Sequence, residues 1–281
     1  MASEVYDPRE RVREVLEANG FGWEEPERPG TIIRSRIAMG LGGRDDEINN
    51  CLRSHEFRRL LYWLSDRKSS GPLTIECLSQ KTGLNEQRLR EYLEVLNFHR
   101  LVNHIDGAWG MAPEVDAAAF GPTLEWYVAR RFNADLHWQA TWGVHLKDFA
   151  YNDFDVVAIR GQNIVVVECK LTGPDNIEDS HIEAFFERHS FLAPDFSLFL
   201  VDTNTSTRTL ATRINDYVLK RIGPAGQPIS PLELDPGGNA FSTVQFIYVA
   251  NTNAGCTDRL LRSLQLCLRH HHSCRRVATW G

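Results

Sequence analysis

The sequence predicts an α/β protein of the α+β kind in two parts: a helical N-terminal region, then a domain with a central mixed β-sheet flanked by helices. Three observations lead there. Up to about residue 120, apolar residues recur at helical spacing; beyond Gly121-Pro122, strand-like and helix-like segments alternate. One of those strands, Ile164 to Cys169, is almost wholly apolar, as a strand covered on both faces should be.

With 281 residues, 42% apolar and 24% charged, the chain can bury a core in each part without disulfide support. No stretch approaches the run of about 18 apolar residues that spans a bilayer. The N-terminus, charged from the start, lacks the pattern of a secretory signal, so the expected location is the cytoplasm. Six scattered cysteines suit reduced thiols better than a disulfide framework.

Taken in order, Asp7-Pro8 reads as an N-cap followed by proline at the first helical position, and Asn19-Gly20 closes a short amphipathic helix bearing Val12, Val15 and Leu16. Residues 24–50, rich in Pro and Gly, read as an irregular connector with a strand at Thr31 to Ile37. The first region is thus 1–50. The second, 51–118, opens with a helix bearing Phe57, Leu60, Leu61 and Leu64. After Ser69-Ser70-Gly71-Pro72 come a short Leu73-Thr74 strand, helices at Ile75 to Lys81 and Asn85 to Asn97 around Thr82-Gly83-Leu84, and a hairpin turning at Asp106-Gly107.

Over about 60 residues this resembles a winged helix-turn-helix, with Leu78, Leu84, Leu89, Leu93 and Leu96 at its core positions. The resemblance offers Gln87, Arg88 and Arg90 for DNA contact. Glu86, Glu91 and Glu94 share that helix and nearly neutralise it, which favours a packing role and a homodimer or larger assembly.

The third region, 119–281, begins with a helix at Thr123 to Phe132. Strands follow near Leu136 to Leu146, Phe154 to Arg160, Ile164 to Lys170, Phe196 to Val201 and Val244 to Val249. Helices fall at Ile182 to Leu192, Arg208 to Arg221 and Asp258 to Leu268, and residues 223–240 read as a long surface loop. Charge is uneven. Between Ala119 and Thr205 thirteen acids face six Lys and Arg; from Ser206 onward nine basic residues face four acids, within a net charge of -6. That distribution suits a divalent-metal site beside a phosphate-binding surface, and equally suits ordinary solvated helix faces.

The chemistry concentrates in NDFDVVAIRGQNIVVVECK, residues 152–170. It reads as a hairpin turning through Arg160-Gly161-Gln162-Asn163, whose buried second strand ends in Glu168 and Lys170. A carboxylate there is costly unless a cation or strong donors compensate it. Strand alternation places Glu168 and Lys170 on one face, and antiparallel pairing brings Asp155 beside them. Two carboxylates and a lysine so gathered suit phosphodiester hydrolysis, the carboxylates holding Mg²⁺ or Mn²⁺ and the lysine acting on water and phosphate.

Asp155, Glu168 and Lys170 on this hairpin resemble the Asp-(spacer)-Glu-x-Lys motif of the PD-(D/E)xK restriction-endonuclease-like superfamily. The resemblance implies a metal-dependent nuclease acting on DNA, RNA or both. It assigns Asp155, Glu168 and the Cys169 carbonyl as metal ligands, and Lys170 as the catalytic lysine. It adds Glu125, in GPTLEWYVARRF, as a further acid for the metal site; Asp153 is a rival to Asp155. The combination looks most like the nuclease half of CRISPR-associated ancillary nucleases, which suggests prokaryotic antiviral defence. Those proteins carry a nucleotide-sensing domain ahead of the nuclease, whose repeated β-α units residues 1–120 lack, so activation by cyclic nucleotides is not implied. Thr172 reads as a strand threonine or a phosphate contact. Cys256, Cys267, His270, His271, His272 and Cys274 lack zinc spacing and suit a basic helix end. A non-catalytic nucleic-acid-binding or assembly protein on a retained nuclease scaffold is the alternative.

Overall fold

The apolar strand of the hairpin occupies the middle of a mixed eight-stranded sheet, and the protein is indeed α+β. The structure, a computed structural model, describes residues 7–24, 45–65, 71–113, 115, 120–151, 153–222, 230–235, 237–252 and 259–278. The predicted strand at Thr31 to Ile37 lies outside the described residues. The chain divides into two compact units: Met1–Pro26 with Val128–Gly281, and Glu27–Tyr127.

In the larger unit, the helix α1 (Pro8–Ala18) is capped by Asp7, whose carboxylate accepts from Arg9 N at 2.9 Å. The strands are β1 (Trp23–Glu24), β4 (Gln139–Leu146), β5 (Asp153–Arg160), β6 (Asn163–Lys170), β7 (Phe196–Val201), β8 (Leu232–Glu233), β9 (Ala240–Ser242) and β10 (Ile247–Asn251), in spatial order β1-β4-β5-β6-β7-β10-β9-β8. β6 pairs antiparallel with β5 and parallel with β7, and β7 pairs parallel with β10. Asp195 clamps the start of β6, its carboxylate accepting from Ile164 N at 2.6 Å.

Helices α7 (Asp179–Leu192) and α8 (Arg208–Ile222) bury Ile182, Phe185, Leu210 and Ile214 with Phe199, Val201 and Val249 of the sheet. Val12, Val15 and Leu16 of α1 join Leu192, Val157, Ile159, Ile164 and Val166. The registers Val157↔Val166 and Glu168↔Phe199 show that these sheet residues share one face. On the other face His270 and His271 of α9 (Arg259–Ala278) lie against Tyr248 and Phe196, so the central strands are covered on both sides.

Some boundaries differ from the sequence reading. The region 223–240 holds β8 and the start of β9, two strands too short to show a period. Residues Val244–Phe246 form a 3₁₀ turn, and the strand begins at Ile247. The last helix continues to Ala278, taking the histidines into it.

In the smaller unit, α2 (Asp45–Leu52), α3 (His55–Ser65), α4 (Ile75–Thr82), α5 (Glu86–Phe98), β2 (Val102–Ile105) and β3 (Ala108–Met111) follow one another. Thr74 and Asn85 cap α4 and α5, and Gly83 ends α4 at φ 75°, which a side chain would resist. Phe57, Leu78, Leu89, Leu93 and Leu96 are buried. The β2–β3 hairpin turns at Asp106 and Gly107, both at positive φ, as a two-residue turn of this kind requires. The helix α6 (Phe120–Asp135) contributes its first part to this unit.

Candidate active site

β6 is driven inward by Ile164, Val165, Val166 and Val167, and its last residues are carried in with it. Glu168 is consequently only 2% exposed. Because side chains alternate, Glu168 and Lys170 share the face of Val166, and Asp155 shares the face of its partner Val157, at the same end of the sheet. The hairpin therefore brings together the three residues at its open end.

The contacts are direct. Asp155 Oδ2 accepts from the Cys169 backbone N–H at 2.6 Å. Lys170 Nζ lies 2.7 Å from Glu168 Oε1, and Arg188 Nη2 donates to Glu168 Oε2 at 2.6 Å. Burial first, and the neighbouring Glu168 charge second, push the Asp155 carboxyl up to about 7, against the opposing pull of Lys170, the Cys169 N–H and Arg188. For Lys170, burial works to lower its pKa, but Glu168 and Asp155 outweigh it and hold the ammonium above its ordinary value. With both carboxylates ionised, two negative and two positive groups meet at this strand end.

Arg188 was not anticipated from the sequence. The α7 helix opens with a capping box between Glu178 and His181 and buries Ile182, Phe185, His189 and Leu192. Arg188 stands three residues after Phe185 and four before Leu192, so it falls on the apolar stripe and is buried with it. A lone arginine on that stripe, following a strand that ends in a buried glutamate, was the available signal. His189 secures the helix beside it, Nδ1 meeting Ser197 Oγ at 2.9 Å; burial lowers its pKa to about 4, so it is neutral near pH 7.

Gly143 is a second residue that sequence reasoning passed over. The pairs Trp142↔Val156 and Val144↔Phe154 place it across from Asp155, and its φ of 59° in mid-strand suits glycine. It sets no side chain beside the carboxyl. Asp153, the rival acid, is instead at the rim, its Oδ1 3.0 Å from His145 Nε2. Glu125 is half-buried on α6, within the smaller unit, and Thr172 is half-buried just beyond β6.

The donor set suits a hard divalent cation: two carboxylates, one of them raised in pKa by burial and then by the charge of the other, at an end where added positive charge relieves their repulsion. Among the described residues no group of three or more His, Cys, Asp or Glu gathers as a metal cage. Mg²⁺ commonly takes one or two carboxylates and keeps several waters, so two suffice for it.

Basic side chains expected to offer phosphate contacts are largely tied up. Arg88 Nη1 lies 2.8 Å from Glu91 Oε2, and Arg90 pairs with Glu86 along α5. Arg213 pairs with Asp179 at 2.6 Å, and Arg221 and Arg208 pair with Glu187 and Glu233. In α9, His270 Nδ1 meets Tyr248 OH at 3.0 Å, and burial pushes the Cys267 thiol up to about 12; Cys256 lies outside the described residues. Among the described residues no helix is long and apolar enough to cross a membrane.

No family model and no curated protein matches the chain. Among solved structures it is similar to protein VC1899 from Vibrio cholerae, with TM-score 0.42 and 17% identity, covering 73% of this chain and 55% of that one. It is also similar to Can2 from Sulfobacillus thermosulfidooxidans, in complex with cyclic tetra-adenylate, with TM-score 0.48 and 14% identity, covering 90% of this chain and 59% of that one. The chain thus spans less than two thirds of the length of either structure.

Proposed function

We propose that this protein is a nuclease that hydrolyses phosphodiester bonds in DNA, RNA or both with Mg²⁺ or Mn²⁺. The observation that carries this reading is the convergence of Asp155, Glu168 and Lys170 at one strand end, where burial first and the neighbouring Glu168 charge second lift Asp155 to about 7. Asp155 and Glu168 are the proposed ligands; the family resemblance adds the Cys169 carbonyl and Glu125. A bound divalent ion would supply Lewis-acid charge to the phosphate and lower the pKa of an attacking water. Lys170, kept protonated by its carboxylate neighbours, serves as a hydrogen-bond donor and positive charge rather than as a base. The Cys169 N–H fixes the direction of the Asp155 carboxyl.

Prokaryotic defence is the proposed setting and a homodimer or larger assembly the proposed form, both following the resemblance. The second reading, a non-catalytic binding or assembly protein, draws support from one feature: both oxygens of Glu168 already have cations, as in a purely structural ion cluster. The two part on one experiment. Purified protein is incubated with linear duplex, plasmid, single-stranded DNA and RNA in Mg²⁺, Mn²⁺ or EDTA, beside Lys170→Met. Cleavage that requires metal and falls about 100-fold or more in the variant is expected. Absence of cleavage on every substrate, or equal cleavage by Lys170→Met, rejects the nuclease reading.

A further inference from the structure

We propose that Arg188 is a built-in competitor for metal: a fixed counter-ion on Glu168 that weakens metal binding, so that the site loads well only when an anionic phosphate enters with the ion. The inference rests on Asp155 and Glu168 being metal ligands and deepens that reading by naming what regulates their affinity.

Three features support it. Arg188 and Lys170 hold opposite oxygens of one carboxylate, at 2.6 and 2.7 Å, so any ion approaching Glu168 meets a guanidinium already there. The two cations differ in freedom. The Lys170 side chain is 23% exposed and on the solvent side, whereas that of Arg188 is 9% exposed and issues from a helix pinned by Phe185 and by His189 on Ser197. Lys170 can turn toward water or phosphate when an ion arrives, but Arg188 has little room to leave. Its Nε, moreover, is buried with no hydrogen-bond partner among the described residues, and the ion pair the structure gives it is with Glu168.

Charge balance then points the same way. Asp155 and Glu168 against Lys170 and Arg188 sum to zero when all are charged, and a divalent ion raises the cluster to about +2. A phosphodiester and a hydroxide would return it to zero. Arg188 is a positioning residue in this scheme, since it acts through Glu168 and the ion.

The test is a calorimetric titration of Mn²⁺ into the whole protein, for wild type, Arg188→Met, Arg188→Gln and Arg188→Lys, each checked for folding by circular dichroism. Losing one fixed charge a few ångströms from a divalent ion should tighten Mn²⁺ binding by about tenfold or more in the Met and Gln variants. Arg188→Lys, which keeps the charge, should stay within about threefold of wild type. Inorganic phosphate should strengthen Mn²⁺ binding in wild type and do so less in Arg188→Met. Either neutral variant, if folded and binding Mn²⁺ no more tightly than wild type, overturns the inference; the pair is used so that one unfolded variant leaves the other to decide. Should wild type bind Mn²⁺ in a manner that Glu168→Gln abolishes, while the Arg188 variants change nothing, the metal site stands and only the role of Arg188 falls. Absence of Mn²⁺ binding in wild type removes both.

Discussion

Asp155→Asn in the metal-free protein should raise stability near pH 8 and change it little near pH 4. The folded protein holds the Asp155 proton up to about 7, whereas an ordinary Asp releases it near 3.8. Between those values the folded state binds more protons than the unfolded state, so stability falls as pH rises through the window. The span is about 3 pH units, and at about 1.4 kcal/mol per unit the full loss is about 4 kcal/mol. Relaxation and water entry reduce this, so a gain of about 2 to 4 kcal/mol is expected for the variant at pH 8. Asn keeps an oxygen that can accept from the Cys169 N–H, so the substitution removes the charge with little loss of geometry. The assay is urea denaturation in EDTA from pH 4 to 8, read as the difference between variant and wild type so that other titrating groups cancel. A difference that stays flat over that range, or a variant less stable than wild type at pH 8, would refute the reasoning.

Glu168→Ala should behave oppositely, because it strands Arg188 as a buried cation; a loss of about 3 kcal/mol is expected in metal-free urea denaturation. Phe185→Ala should cost about 3 to 5 kcal/mol in the same assay, since the ring is fully buried edge-on to Phe199 at 5.1 Å. The double variant Arg88→Ala, Arg90→Ala should change duplex affinity by less than about threefold in a salt-matched binding assay, as both guanidiniums are engaged by Glu91 and Glu86; a larger fall would place α5 on nucleic acid.

Much of the fold was open to reading because its signals are local. Asp7-Pro8 started α1, Asp106-Gly107 turned a hairpin, and the apolar run of β6 implied cover on both faces, each within a few residues of chain. The candidate site was legible for the same reason: Asp155, Glu168 and Lys170 lie on one hairpin, where strand period and antiparallel pairing fix their relation. The short strands β8 and β9 escaped, since two or three residues show no period and their pairing depends on β10.

What the sequence by itself determined, then, is the α+β class and the meeting of three charged groups at a strand end. Tertiary structure decided what neutralises them. Arg188 reaches Glu168 across 20 residues of chain because α7 folds back onto the sheet, and α1 joins Leu192 and Val166 in one core although most of the chain separates them. No period or spacing encodes such contacts. They follow from which apolar faces find one another, and that choice also leaves Glu168 shared between one cation near solvent and one held in the core.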